Sequence, residues 1–222
     1  MTELAVVVKP IILILSCKRD IENGSNDVCR QTWIKEWGHL IDYRFFIGSS
    51  DTGCPSVSWK CPLLQQDEIM LEVPDLYHFL PFKTQAMLKW ALENGYTHFF
   101  KCDTDTYIHV PRLLASGFET KYYTGNFSIT GSYASGGAGY WINTEAAKKL
   151  VDAKAYNGGE DKWVGSTLGG RDSGHNDIRY SHHFESLINA DGIATYSLRT
   201  REGYGPPLEL LSWHEEMRKR KI

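Results

Sequence analysis

The chain has 222 residues, 42% of them hydrophobic, enough to bury a substantial core in one domain spanning residues 1–222. Its formal charge of -3 supplies no global basic field, which argues against nucleic acid or an anionic lipid surface as a partner. Five cysteines, Cys17, Cys29, Cys54, Cys61 and Cys102, lack metal-ligand CxxC spacing, so neither a zinc module nor a full disulfide framework follows.

Taken in chain order, the first apolar stretch, Ala5 to Leu15, is broken by Lys9 and Pro10. It falls far short of the roughly 20 residues of a transmembrane segment. Within it, Ile11 to Leu15 is a continuous branched run, the pattern of a strand buried on both faces. A turn of Gly, Asn, Ser and Asp follows. Next comes a helix over Val28 to Trp37, with Trp33 and Trp37 four apart and Gly38 as its stop. Tyr43 to Ile47 and Ile69 to Val73 read as strands joined by a surface loop that holds Cys54 and Cys61. Free thiols are the simple expectation, with that pair able to bridge in an oxidising compartment.

Pro81 precedes a helix over Lys83 to Glu93, closed by Asn94-Gly95. His98 to Phe100 reads as a strand running into Cys102-Asp103-Thr104-Asp105. Gly125 to Ile129 and Ala138 to Ile142 read as strands around a Gly-rich bend, and Thr144 to Val151 and Asp161 to Leu168 as helices. The tail after Gly203 reads as loop with a basic end. Strands alternating with helices predict an α/β fold with a mostly parallel central sheet flanked by helices.

Asp103 and Asp105 fall at a strand's C-terminal end, the edge where open α/β sheets bind ligands. A turn at Thr104 would let the two carboxylates serve one site. Oxygen ligands of this kind suit a hard divalent cation, Mn²⁺ or Mg²⁺, that keeps room for phosphate oxygens. The plain alternative is an Asx-turn after a strand. Glu160-Asp161, after Gly158-Gly159, equally suits the acid preference of a helix N-terminus. Gly136-Gly137-Ala138-Gly139 fits a tight turn, close approach of a ligand to backbone, or both. Arg30 could meet phosphates or lie on a solvated helix face. Trp33, Trp37 and Trp90 read as core.

The segment from Asp75 to Ile108 carries Asp75, Lys83-Thr84, Lys89-Trp90 and Lys101-Cys102-Asp103-Thr104-Asp105 in that order. It resembles the core of glycosyltransferase family 31, which includes the β1,3-galactosyltransferases, the core 1 synthase and the Fringe proteins. Cys29-Arg30-Gln31-Thr32-Trp33, Ser135 to Tyr140, and Glu160-Asp161-Lys162-Trp163-Val164-Gly165 are similar to three further segments of that family. Leu168 to Arg171 followed by Tyr180 to Glu185 resembles a Fringe segment that ends in a metal-binding histidine. Agreement in order over residues 11 to 187 is more specific than any one motif.

The resemblance implies a GT-A nucleotide-sugar-binding fold, a UDP-sugar donor, a Mn²⁺ cofactor and inversion at the anomeric carbon. It makes Asp161 the base, Asp105 a direct metal ligand and His183 a second ligand, with His182 and His214 as alternatives. Asp103 would hold the metal's outer shell or the donor ribose, and Arg30, Lys101 and Gly137 would line the donor. Trp141 and Trp163 are candidates to stack on the acceptor sugar. The acidic triplet is Asp-Thr-Asp, where many members have three aspartates. The expected activity is hexose transfer, galactose or N-acetylhexosamine, to a hydroxyl of a glycan or glycoconjugate acceptor, by a β1,3 linkage. Alternatives are a carbohydrate-binding relative without turnover and a metal-dependent nucleotide-sugar hydrolase. The start at Met without an anchor suggests a soluble cytoplasmic protein of bacterial or viral type, or a Golgi lumen enzyme if the chain is a trimmed catalytic domain.

Overall fold

The computed structural model describes residues 7–50, 64–128, 130–170, 179–181, 193–197 and 207–220. The first strand, β1 (Pro10–Leu15), pairs in parallel with β2 (Asp42–Ser50) on one side and β4 (His98–Asp103) on the other. β3 (Glu68–Pro74) continues the parallel part beyond β2, while β7 (Tyr140–Asn143) and β6 (Tyr123–Gly125) are added beyond β4 by two antiparallel pairings. The order is β3-β2-β1-β4-β7-β6, so only β7 runs against the other five strands and the expected mostly parallel α/β sheet is present. A second, smaller sheet joins β5 (Thr106–Ile108), β9 (Ile193–Ser197) and β8 (Arg179–Ser181).

The strand period of two divides the core. Ile12 and Ile14 of β1 face a cluster with Val28, Trp33, Phe45 and Phe100. Ile11, Leu13 and Leu15 face the other side, with Phe46, Phe99, Met87 and Leu88. The second face is covered by α4 (Leu80–Glu93), α6 (Thr144–Asp152) and α7 (Glu160–Leu168). α4 carries Pro81 in its first turn, where the missing N–H costs nothing. The first face is covered by α1 (Lys18–Glu22), α2 (Ser25–Cys29), a π turn (Arg30–Ile34), α3 (Lys35–Trp37), α5 (Val110–Leu114) and α8 (Glu209–Arg220).

Three expectations are corrected. The helix predicted over Val28–Trp37 is interrupted at Thr32, whose φ of -107° and ψ of -113° leave the helical region. Its hydroxyl donates to the Val28 carbonyl at 2.7 Å, competing with the backbone ladder. The strand predicted from Gly125 lies earlier, ending at Gly125, with Phe127 making only an isolated bridge to Ala134. The tail predicted as loop contains α8, because Leu210, His214 and Met217 recur at helical spacing and are buried against the first face. Cys17, Cys29 and Cys102 are free thiols, whereas Cys54 and Cys61 lie outside the described residues. Among the described residues no helix is long and apolar enough to cross a membrane.

Candidate active site

β4 delivers Lys101 and Asp103 to the same face of the sheet, since they are two apart. The chain then turns at Thr104 and Asp105 before β5, as the acidic triplet required. Two contacts fix that turn from the α1 and α2 side. The Cys29 thiol donates to the Thr104 carbonyl at 3.1 Å, and the Thr104 hydroxyl donates to Asp20 at 3.2 Å. Asp105 lies on this side: burial first, then the Asp105 and Asp20 carboxylates, pushes the Cys29 thiol up.

On the opposite side Lys101 is buried and directs its ammonium at three oxygens. They are Asp103 Oδ1 at 2.7 Å, Glu160 Oε2 at 3.1 Å and the Gly136 carbonyl at 3.3 Å. The other Glu160 oxygen accepts from the Tyr140 hydroxyl. Burial alone would lower the Lys101 ammonium, but Asp103 and Glu160 hold it above its ordinary value. Burial raises the Glu160 carboxyl, against the opposing pull of Lys101 and Tyr140. One lysine thus ties the acidic turn to the first residue of α7, and the next residue is Asp161. Asp161 is partly exposed, with Oδ1 accepting from the Lys162 N–H at 2.8 Å.

The Gly-rich bend completes the wall. Three successive carbonyls are held inward: Gly136 by Lys101, Gly137 by the Thr106 hydroxyl at 2.6 Å, and Ala138 by the Thr195 hydroxyl at 2.7 Å. Gly136 is required by the ion pair, because a Cβ there would sit 2.5 Å from Glu160 Oε2 and 3.0 Å from Lys101 Nζ. Gly139 has φ +87°, and a Cβ would run into the Phe100 ring. A second buried ion pair braces the neighbouring strand ends. Asp75 accepts from the backbone N–H of Lys18 at 2.7 Å and of Gly48 at 3.2 Å, and from the Lys83 ammonium, which also donates to the Ser16 carbonyl.

The fold therefore gathers Lys101, Asp103, Gly136 and Glu160, with Gly137 following Gly136 and Asp161 following Glu160 in the chain, while Asp105 lies on the other side of the turn. The fold does not bring Arg30 to the Lys101 cluster. That guanidinium is occupied by Asp67 at 2.7 and 3.0 Å, Glu68 at 2.7 Å and Asp27 at 2.8 Å, and it lies over the Phe45 ring. His183 and His182 lie outside the described residues. His214 is buried in α8, its Nδ1 3.0 Å from the Tyr107 hydroxyl. Trp141 and Trp163, expected to stack on an acceptor, are each 1% exposed and belong to the core. Trp141 stacks on Phe118 with centroids 4.0 Å apart, and the Trp163 indole donates to the Lys154 carbonyl. Glu160 and Tyr140 went unread as site residues; the signal was an acid beside Asp161 and a phenol closing the glycine motif.

The acidic turn lies at the C-terminal edge of a mostly parallel sheet, the edge where open α/β sheets bind ligands, and it is cross-braced to an acidic helix start. The fold matches a crystal structure of a glycosyltransferase involved in the glycosylation of the major capsid of PBCV-1, with a TM-score of 0.51 and 14% sequence identity. That match covers 94% of this chain and 100% of the other. The Galactosyltransferase family model matches residues 25–160, more than half of the chain, and the chain belongs to that family. It is accordingly a hexosyltransferase.

Proposed function

We propose that the chain is an inverting, metal-dependent transferase that moves galactose or an N-acetylhexosamine from a UDP-sugar to a glycan hydroxyl, forming a β1,3 linkage, with residues 1–222 acting as one catalytic domain. The observation that supports this reading is the Lys101 bridge, which ties Asp103 of the acidic turn to Glu160, the residue before Asp161. Single displacement needs a base for the acceptor proton and a charge sink for the departing diphosphate. Asp161 is the base. It takes the proton from the acceptor hydroxyl as that oxygen bonds to the anomeric carbon and the bond to UDP breaks.

The donor set suits Mn²⁺ or Mg²⁺: two carboxylates on one tight turn are hard oxygen ligands, and such ions complete their shells with phosphate oxygens and water. Among the described residues no group of three or more acidic, histidine or cysteine side chains forms a metal cluster. Asp105 would hold the ion directly with His183 as the second protein ligand, and Asp103 would hold its outer shell or the donor ribose. When bound, the ion stabilises charge growing on the leaving diphosphate. Lys101 holds Asp103 in place, and the fixed Gly136–Ala138 carbonyls shape the backbone that faces the donor.

Calorimetric titration of UDP and UDP-sugars, with Mn²⁺ and then with chelator, tests this reading. Metal-dependent binding and transfer that requires an acceptor are expected. No nucleotide binding under either condition would overturn it, and sugar release independent of any acceptor would mark a hydrolase.

A further inference from the structure

With Trp141 and Trp163 in the core, any aromatic surface for a sugar acceptor lies elsewhere. Among the described Phe, Tyr and Trp side chains only two are exposed, Tyr77 at 77% and Tyr156 at 46%. A single exposed aromatic is ordinary. These two, however, flank one joint. Tyr77 opens the 3-10 turn that follows β3 at the C-terminal edge of the main sheet, and Tyr156 lies in the loop between α6 and α7. The Gly158 N–H in that loop donates to the His78 carbonyl at 3.0 Å, closing the loop onto the turn. The Tyr156 ring folds back over the joint, since a Cβ on Gly158 would lie 3.2 Å from a ring carbon. Asp161 is three residues beyond Gly158, so at most about 11 Å separates their Cα atoms.

We propose that Tyr77 and Tyr156 form the acceptor subsite, stacking on the apolar face of a pyranose ring in the glycan whose hydroxyl meets Asp161. The proposal rests on the transferase reading above. A phenol suits this task because its ring covers the C–H face of a sugar while its hydroxyl reaches the ring's edge. The gap between the joint and Asp161 is one that a short oligosaccharide spans, so the tyrosines select the acceptor and leave the donor untouched.

Saturation-transfer NMR reads this contact without turnover. The probes are methyl β-glycosides of galactose, glucose, N-acetylglucosamine and N-acetylgalactosamine, each with and without UDP and Mn²⁺. At least one glycoside should receive saturation from the wild type. The signal should fall about fivefold in Tyr77→Ala and in Tyr156→Ala, the loss expected for one aromatic contact. It should persist in Leu208→Ala, which removes an exposed apolar side chain just before α8. UDP binding by calorimetry should be the same in all these proteins. An undiminished signal in the Tyr77→Ala/Tyr156→Ala double variant overturns the subsite, as does the absence of transfer from a wild type that binds UDP. A wild type that binds glycosides through these tyrosines but binds no nucleotide keeps the subsite and overturns the transferase reading instead.

Discussion

Lys101 has three ammonium hydrogens and three oxygen partners, so its removal would leave Asp103 and buried Glu160 facing each other without a counter-charge. Taking one partner from a buried pair costs about 3–5 kcal/mol. Lys101→Met should lose stability in that range by urea unfolding. The Lys101→Met/Glu160→Gln double variant should recover part of it, because the amide removes a buried charge and still accepts from Tyr140. A double variant no more stable than the single would show that Lys101 does not balance Glu160. Among the described residues the hydrogen bond to Asp161 is a local one, from the Lys162 N–H, so Asp161→Asn should fold normally. Loss of the base should lower kcat by about 10²–10⁴-fold with UDP affinity unchanged. Near-normal transfer by this variant would remove Asp161 from the role. Asp103, Asp105 and Asp161 were legible as candidates because acids at a strand's C-terminal end sit on the edge where such sheets bind ligands, and the ordered family segments carry the helix-start acid with them. Arg30 was not legible, since Asp27, Asp67 and Glu68 claim its guanidinium from three separate positions in the chain.

The elements most clearly read from sequence were those with strong periodicity and punctuation. β1 extends its predicted span by one residue, and α4 ends at Glu93 before Asn94-Gly95 as expected. Those missed were short or charge-rich. α8 hides its buried stripe of Leu210, His214 and Met217 among Glu, Lys and Arg. α5, only five residues long, depends on His109, whose Nδ1 accepts from the Arg112 N–H at 3.3 Å and whose ring lies 4.5 Å from Trp37. That cap requires an unprotonated Nδ1. Burial first, then nearby Arg112, lowers the His109 pKa from 6.5 to about 4. A depressed histidine contributes stability above about pH 6.5 that is lost as pH falls toward 4, because the unfolded chain then binds the extra proton. The contribution is at most roughly 3 kcal/mol. His109→Asn keeps a capping oxygen and should flatten the decline in unfolding free energy between pH 6.5 and 4. A slope equal to that of the wild type would assign the acid sensitivity to other groups.

At the scale of the whole molecule, the two faces of one sheet meet at an edge that collects polar groups. Three phenols nearby are sealed in by the same packing: burial raises Tyr107, Tyr123 and Tyr140, with Glu160 adding to the last two. A phenol held neutral in the fold contributes stability that is complete below pH 10 and lost as pH rises above it, since unfolding then releases protons. Stability should therefore fall steadily above pH 10. Phenolate absorbance should show a group of tyrosines that ionise only together with loss of structure. Smooth titration of all twelve tyrosines in the folded protein would contradict the packing around β4, β6 and β7.

The sequence by itself determined the α/β alternation, the doubly buried first strand, and the acidic turn at a strand's end, because each is written in local spacing. It also carried the family's ordered segments. Only the tertiary structure decided that Lys101 bridges Asp103 to Glu160, that Arg30 is held by three carboxylates, and that Trp141 and Trp163 are core while Tyr77 and Tyr156 are exposed. Those outcomes depend on which side chains distant segments bring within a few ångströms of one another, and local periodicity holds no record of such contacts.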